Sequence, residues 1–264
     1  MIRERGHAAW HECVSDLVNH CLDENGLSID DVRAAAAKMP YLIGVRRAIE
    51  DVDEDASCGQ AIISDGNDYF IGAFLGENGM DRRFTHGVET NAGRWECRVV
   101  ADDDDDTTTC GGRRFRFRVV HQSSKYGGHD NERCPPNLCK TQALLDILGR
   151  TTAVTETTAN GGGRPRVVYV GDGSNDACPA LHVLDERDVL LARAGRRISD
   201  PNSKSGEQPD EEDVNVLTGD EFSILSTIEG RMKREALVPR CRVLAWNSGM
   251  QLRSLVRDIL DERG

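Results

Sequence analysis

Gly171-Asp172-Gly173-Ser174-Asn175-Asp176 sets two carboxylates four residues apart, directly after the apolar run Val167-Val168-Tyr169-Val170. Four apolar, mostly β-branched residues read as a fully buried strand. Such a strand delivers its carboxylates to the carboxyl edge of an α/β sheet, where these folds hold ligands. Hard oxygen donors such as Asp172 and Asp176 suit Mg2+, and Gly171 and Gly173 let the backbone turn sharply and come close to a ligand. The same letters also fit an ordinary strand-to-helix turn with Asp176 as the helix cap. Two other stretches carry complementary chemistry. The apolar run Ala61-Ile62-Ile63 ends in Ser64-Asp65-Gly66-Asn67, and Lys140 opens the helical stretch KTQALLDIL. A hydroxyl and backbone N–H groups at a strand end can hold phosphate oxygens, and a lysine adds a compact positive charge. The acidic pair would hold the metal that neutralises a phosphoryl group. The competing readings are structural: Ser64 as a turn residue, Asp65 as a helix cap, Lys140 as a solvated helix-start lysine, Asp176 behind the metal rather than on it.

The elements that must position these residues follow from periodicity. Residues 7–23 carry Trp10, Val14, Leu17, Val18 and Cys21 at helical spacing, and Glu24-Asn25-Gly26 stops that helix. Ser28 is placed to cap a second helix over 29–38, Pro40 ends it, and Ile43–Val52 reads as a third. These three are expected to form one helical layer. Phe70–Asn78 reads as the helix after the Ser64 strand, so two strands ending in polar turns before helices predict a parallel sheet. Trp95–Val99 and Phe115–Val119 alternate apolar and polar residues, as the arms of a half-exposed hairpin do. Between them the run Asp102–Asp106 repels itself and reads as a solvated loop. Residues 151–165 and 199–213 read as polar connectors, and 247–261 as a last amphipathic helix.

Composition narrows the function classes. With 264 residues the chain has room for one large domain, or a core with a smaller insert. A net charge of −12 argues against nonspecific nucleic-acid binding, which needs clustered Lys and Arg. Nothing in the sequence reads as a transmembrane span or a secretory signal. The nine cysteines are scattered, so they are expected to be reduced thiols in a cytoplasmic protein. Cys134 and Cys139, with His129 nearby, form the one local pair with metal-ligand chemistry; zinc wants closer spacing and four ligands, so a structural or incidental role is expected.

The order of these sites resembles the haloacid dehalogenase-like superfamily of phosphatases. Within it, three strings resemble the group containing phosphoethanolamine/phosphocholine phosphatase and pyridoxal phosphate phosphatase. They are Ile63-Ser64-Asp65-Gly66-Asn67, Cys134-Pro135-Pro136-Asn137-Leu138-Cys139-Lys140, and Tyr169-Val170-Gly171-Asp172-Gly173-Ser174-Asn175-Asp176-Ala177-Cys178-Pro179. The likeness spans most of residues 7–260, outside the acidic loop and the two connectors. It implies a Rossmann-like parallel sheet with a helical cap and an inserted β-hairpin. The implied parts are 1–50 as helical cap and connection, 51–90 as core strand and helix, 91–130 as hairpin with acidic loop, and 131–264 as the rest of the α/β core. By the same resemblance Ser64 would bind the transferring phosphoryl group, with Asp65 and Asn67 beside the substrate. Lys140 would neutralise phosphate charge and steady the nucleophile. Asp172 would coordinate Mg2+, Asp176 would be its second ligand or support, and Asn175 would orient its neighbours. The helices of residues 7–40 would cover the site and exclude water.

One part of the family pattern is not matched. The resemblance implies an Asp-x-Asp-x-Thr nucleophile at the end of a first core strand, ahead of the cap helices. Here only Met1–Gly6 precede those helices. Asp103-Asp104-Asp105-Asp106-Thr107 fits the letters but lies in the hairpin loop, and Asp53-Glu54-Asp55-Ala56-Ser57 follows a helix rather than a buried strand. The missing strand would lie between those ending at Ile63 and Val170. Each unmet buried polar group costs about 1–3 kcal/mol, against a total stability of about 5–15 kcal/mol. The chain is therefore expected either to fold poorly alone or to come from a gene whose true start lies upstream; a cooperative, high-stability denaturation transition would contradict the first. The function implied is a Mg2+-dependent phosphatase for a small phosphomonoester such as phosphoethanolamine, phosphocholine or pyridoxal phosphate, with no nucleic-acid or membrane partner. The alternative is a catalytically dead protein that still binds phosphate and Mg2+.

Overall fold

The computed structural model describes residues 10–99, 113–120, 138–156, 164–194 and 224–262. They belong to two compact units. The first joins Met1–Pro40 to Ala61–Cys139, and the second joins Tyr41–Gln60 to Lys140–Gly264.

The first unit contains α1 (Trp10–Asn25), α2 (Ile29–Ala37), β1 (Ile62–Asn67), α4 (Asp68–Glu77), β2 (Val88–Val99) and β3 (Arg113–Val120). Ser28 caps α2 as expected: its hydroxyl accepts from Asp31 N, and Asp31 Oδ2 accepts from Ser28 N at 2.8 Å. β2 pairs parallel with β1 through its first residues and antiparallel with β3 through the rest. Trp95 sits opposite Phe117, so the predicted hairpin forms with both aromatics on one face. That face packs under α1 and α2, where Val18, Leu22, Val32, Phe117 and Val119 form one core with Tyr69, Phe70 and Trp95 against it. α1 also covers the outer edge of β3. Asn19 bonds Phe117 through both its amide N–H and carbonyl, and Ser15 Oγ accepts from Val119 N. These polar side chains on a helix satisfy an edge that would otherwise be open for pairing.

The second unit contains α3 (Ile43–Asp53), α5 (Lys140–Glu156), β4 (Val168–Gly171), a single 3-10 turn (Ser174–Asp176), α6 (Ala177–His182), β5 (Val189–Arg193), α7 (Ile224–Glu235), β6 (Arg242–Trp246) and α8 (Gly249–Asp261). Its sheet is all parallel, in the order β4-β5-β6. One face is covered by α3 and α8, which bury Leu42, Ala48, Leu252, Val256 and Ile259 against Val189, Leu191 and Trp246. The two helices cross closely at Gly44, where a Cβ would lie 2.1 Å from the carbonyl carbon of Gly249. Asp51 and Arg253 tie the same pair by a two-pronged ion pair. α7 packs on β5, and α5 and α7 both meet α6.

Four expectations are corrected. The strands form two three-stranded sheets among the described residues rather than one. The three leading helices do not make one layer, because α3 packs on α8 while α1 and α2 pack on the hairpin side. β4 is not fully buried: it pairs only with β5 among the described residues, and Val170 is 47% exposed. The connector predicted from residue 151 begins as helix, because α5 runs to Glu156. Within it Thr151 and Thr152 donate their hydroxyls to the carbonyls of Ile147 and Leu148. The acidic run Asp102–Asp106, His129, Cys134 and the connector 199–213 lie outside the described residues.

Candidate active site

The site is built at the carboxyl end of β4. Lys140 is the first residue of α5, as expected, and its ammonium donates to Asp176 Oδ1 at 2.8 Å. Tyr169, which points from β4 into the unit, donates its hydroxyl to the same oxygen at 2.8 Å. The other oxygen, Oδ2, accepts from the backbone N–H groups of Asp172 at 3.2 Å and Gly173 at 2.9 Å. Asp176 is 2% exposed and Lys140 9%, so this is an enclosed ion pair whose remaining lone pairs are satisfied. A buried pair is stable only when they are. Its geometric effect is to draw the loop 171–176 around one carboxylate.

The two loop glycines are fixed by packing rather than by the turn freedom expected of them. Neither has a positive φ. A Cβ on Gly171 would lie 2.7 Å from Asp176 Cβ, and one on Gly173 would lie 2.7 Å from Asn175 Oδ1. They are glycine because the loop folds over its own side chains. Asp176 is also not a side-chain cap for α6. Asp172 is left exposed at the rim of the loop, with Asn175 half-buried beside it.

The loop rests on α6, and α6 is held by α7. Cys178 is buried, and its sulfur accepts from Arg231 Nη1 at 3.0 Å. Arg231 also reaches His182 Nε2 and both oxygens of Glu235. Burial works against that guanidinium charge, but the bonds to Glu235 and Cys178 hold its pKa above the ordinary arginine value. At the opposite end of the sheet, Arg187 lowers the Asp185 carboxyl to about 2 by hydrogen bonding.

Ser64, Asp65 and Asn67 belong to the first unit. Ser64 Oγ accepts from Gly66 N at 3.1 Å, a local turn bond. The Asp65 carbonyl accepts from Asn91 Nδ2. Asn67, not Asp65, caps α4: it is buried and its Oδ1 accepts from Phe70 N at 2.9 Å. Lys140, Asp172, Asn175 and Asp176 lie together in the second unit. Tyr169 was missed in the sequence as a site residue. The available signal was a tyrosine in an inward strand position, where the hydroxyl of a buried ring needs a partner.

Among the described residues no three His, Cys, Asp or Glu side chains gather to hold a metal. The donor set nevertheless suits Mg2+, which uses one or two protein carboxylates and completes its octahedron with water and phosphate oxygens. Asp172 has the free carboxylate for that; the oxygens of Asp176 are committed to four donors. No helix of the described residues is long and apolar enough to cross a membrane.

The family described as Putative Phosphatase matches residues 2–260, and the chain belongs to it. Pyridoxal phosphate phosphatase from Bos taurus is 27% identical over 187 residues, covering 70% of this chain and 66% of that protein. Inorganic pyrophosphatase 2 from Arabidopsis thaliana is 25% identical over 184 residues, covering 70% and 57%. Human phosphoethanolamine/phosphocholine phosphatase is 27% identical over 175 residues, covering 66% and 55%. The chain thus spans just under two thirds of the bovine protein and little more than half of the other two. No solved structure matches.

Proposed function

We propose that this chain supplies the phosphate- and Mg2+-binding groups of a phosphatase with a haloacid dehalogenase-like core, acting on a small phosphomonoester. The observation that carries the reading is the enclosed Lys140–Asp176 pair, with Tyr169 and two backbone N–H groups organising the loop beneath exposed Asp172. Asp172 would hold Mg2+, and Asp176 would position it through the loop rather than ligate. Bound there, Mg2+ would offset charge on the phosphoryl oxygens.

The chain's own residues do the rest. Asp176 uses one of the three ammonium protons of Lys140, which leaves two for phosphate oxygens. Fixing the ammonium in advance means that no side-chain ordering is left for the moment of transfer. Asn175 orients the loop from beside it. For Ser64, Asp65 and Asn67, which lie in the first unit, the family resemblance implies contacts to the substrate. Pyridoxal phosphate, phosphoethanolamine and phosphocholine, phosphomonoesters named for the relatives, are the first substrates to try, with pyrophosphate, an anhydride, as the contrast.

The test is calorimetric titration of orthophosphate with Mg2+ and with chelator. The reading predicts phosphate binding that Mg2+ strengthens and Lys140→Met removes. Phosphate binding indifferent to both would refute it. Chelator-sensitive hydrolysis of a chromogenic phosphomonoester by this chain alone would place a nucleophile within its own residues.

A further inference from the structure

The first turn of α5 holds a second polar side chain that the assignments above do not use. Thr141 follows Lys140 and is 7% exposed, and its Oγ1 is enclosed with no hydrogen-bond partner among the described residues. α5 carries a buried stripe, and Thr141 occupies it one turn before Leu144 and two before Leu148. A valine at that position would fill the same space without leaving a hydroxyl unsatisfied, and an unsatisfied buried hydroxyl is destabilising.

Two other threonines in the same helix mark the difference. Thr151 and Thr152 donate to carbonyls four residues back, at 2.9 and 2.8 Å. Thr141 stands at the second position of α5 and makes no such bond. Thr141 belongs to the first turn of α5, where backbone N–H groups lack intrahelical partners and the macrodipole favours an anion. The adjacent residue is the lysine whose ammonium already converges on the loop 171–176.

We infer that the Thr141 hydroxyl is a phosphate-contacting group, donating to an oxygen of the anion that Lys140 also binds. The inference rests on the phosphate-site reading above and extends it by a residue. Lys140 supplies charge, which attracts an anion of any shape, whereas a hydroxyl on the same helical turn supplies direction. Together they would favour a tetrahedral oxyanion over a planar carboxylate.

The experiment compares orthophosphate binding by wild type, Thr141→Val, Thr141→Ser and Lys140→Met, using calorimetry in Mg2+ and a thermal melt of each. Thr141→Val is expected to bind about tenfold more weakly, the scale of one hydrogen bond to a charged oxygen, with Thr141→Ser within about twofold of wild type. The melting temperature of Thr141→Val should equal or exceed that of wild type, because no internal bond is lost. Unchanged affinity in Thr141→Val, with Lys140→Met weakened, would overturn this inference and leave the site standing. A lower melting temperature with unchanged affinity would make the hydroxyl structural and overturn it as well. Absent phosphate binding in wild type, or a Lys140→Met variant that binds normally, would overturn the site reading and the inference with it.

Discussion

Asp176 and Asp188 lie at opposite ends of one parallel sheet, both enclosed, and each accepts four hydrogen bonds. Asp176 follows β4 and gathers Lys140, Tyr169 and the N–H groups of Asp172 and Gly173. Asp188 precedes β5 and gathers two guanidinium N–H groups of Arg164 and the backbone N–H groups of Val167 and Asp185. The two share a carboxylate, a cation and two backbone donors from nearby segments, and Asp176 adds the Tyr169 hydroxyl. The cation differs. Arg164 meets Asp188 as a planar fork that matches both oxygens, which locks the amino ends of β4 and β5 and presents no free acidic group. Lys140 meets one oxygen of Asp176 and keeps two protons, while the loop it helps to shape leaves Asp172 exposed. A closed carboxylate hub fixes a frame, and one with unused donors and an outward acid can bind.

Breaking the frame hub should have the largest effect on stability. Asp188→Ala strands Arg164 and is expected to cost about 3–5 kcal/mol in urea denaturation, while Mg2+ affinity of the folded protein stays within about twofold of wild type. Asp176→Asn keeps the shape but loses the charge opposite Lys140. It is expected to cost about 2–3 kcal/mol and to weaken Mg2+ binding about 10- to 100-fold, as mutation of a metal-ligand support does. Equal effects of the two variants on Mg2+ binding would erase the distinction between the hubs. Gly171→Ala forces a methyl to 2.7 Å from Asp176 Cβ, with a cost of about 1–3 kcal/mol from overpacking; a neutral result by the same denaturation assay would mean that the loop is loosely held. The smallest effect belongs to pH. The Asp185 carboxyl lies at about 2, below its ordinary value, because Arg187 hydrogen-bonds it. A depressed carboxyl contributes stability that is present above its unfolded value and lost as pH falls through the folded one. Urea midpoints should therefore fall between about pH 4 and 2, and Asp185→Asn should flatten that fall.

The parts of this arrangement that sequence reading reached are local ones. Lys140 opening α5, the strand before Gly171, the Ser28 cap and the Trp95 hairpin arm all depend on neighbours within a few residues. The misses depend on pairing across the chain. The loop glycines read from sequence as a sharp turn open to a ligand, whereas what crowds them is Asp176 and Asn175. Asp188 and Arg164 carry no motif, and their role appears only when β4 and β5 lie side by side. The apolar run Val189-Leu190-Leu191-Ala192 forms the central strand of the second sheet and was not singled out in the sequence. Its place between β4 and β6 was not legible there, because register comes from tertiary contacts. α3 reads like its two predecessors until Gly44 is placed against Gly249.

The central claim is that the Asp176 hub exists to present Asp172 to a divalent cation. The direct measurement is the Mg2+ affinity of wild type and Asp172→Asn by calorimetry, with the melting temperature of each alongside. The account predicts affinity weakened by at least about tenfold in the variant and a melting temperature unchanged, since Asp172 is exposed and it is its backbone N–H that bonds Asp176. An Asp172→Asn protein that binds Mg2+ as wild type does would contradict it.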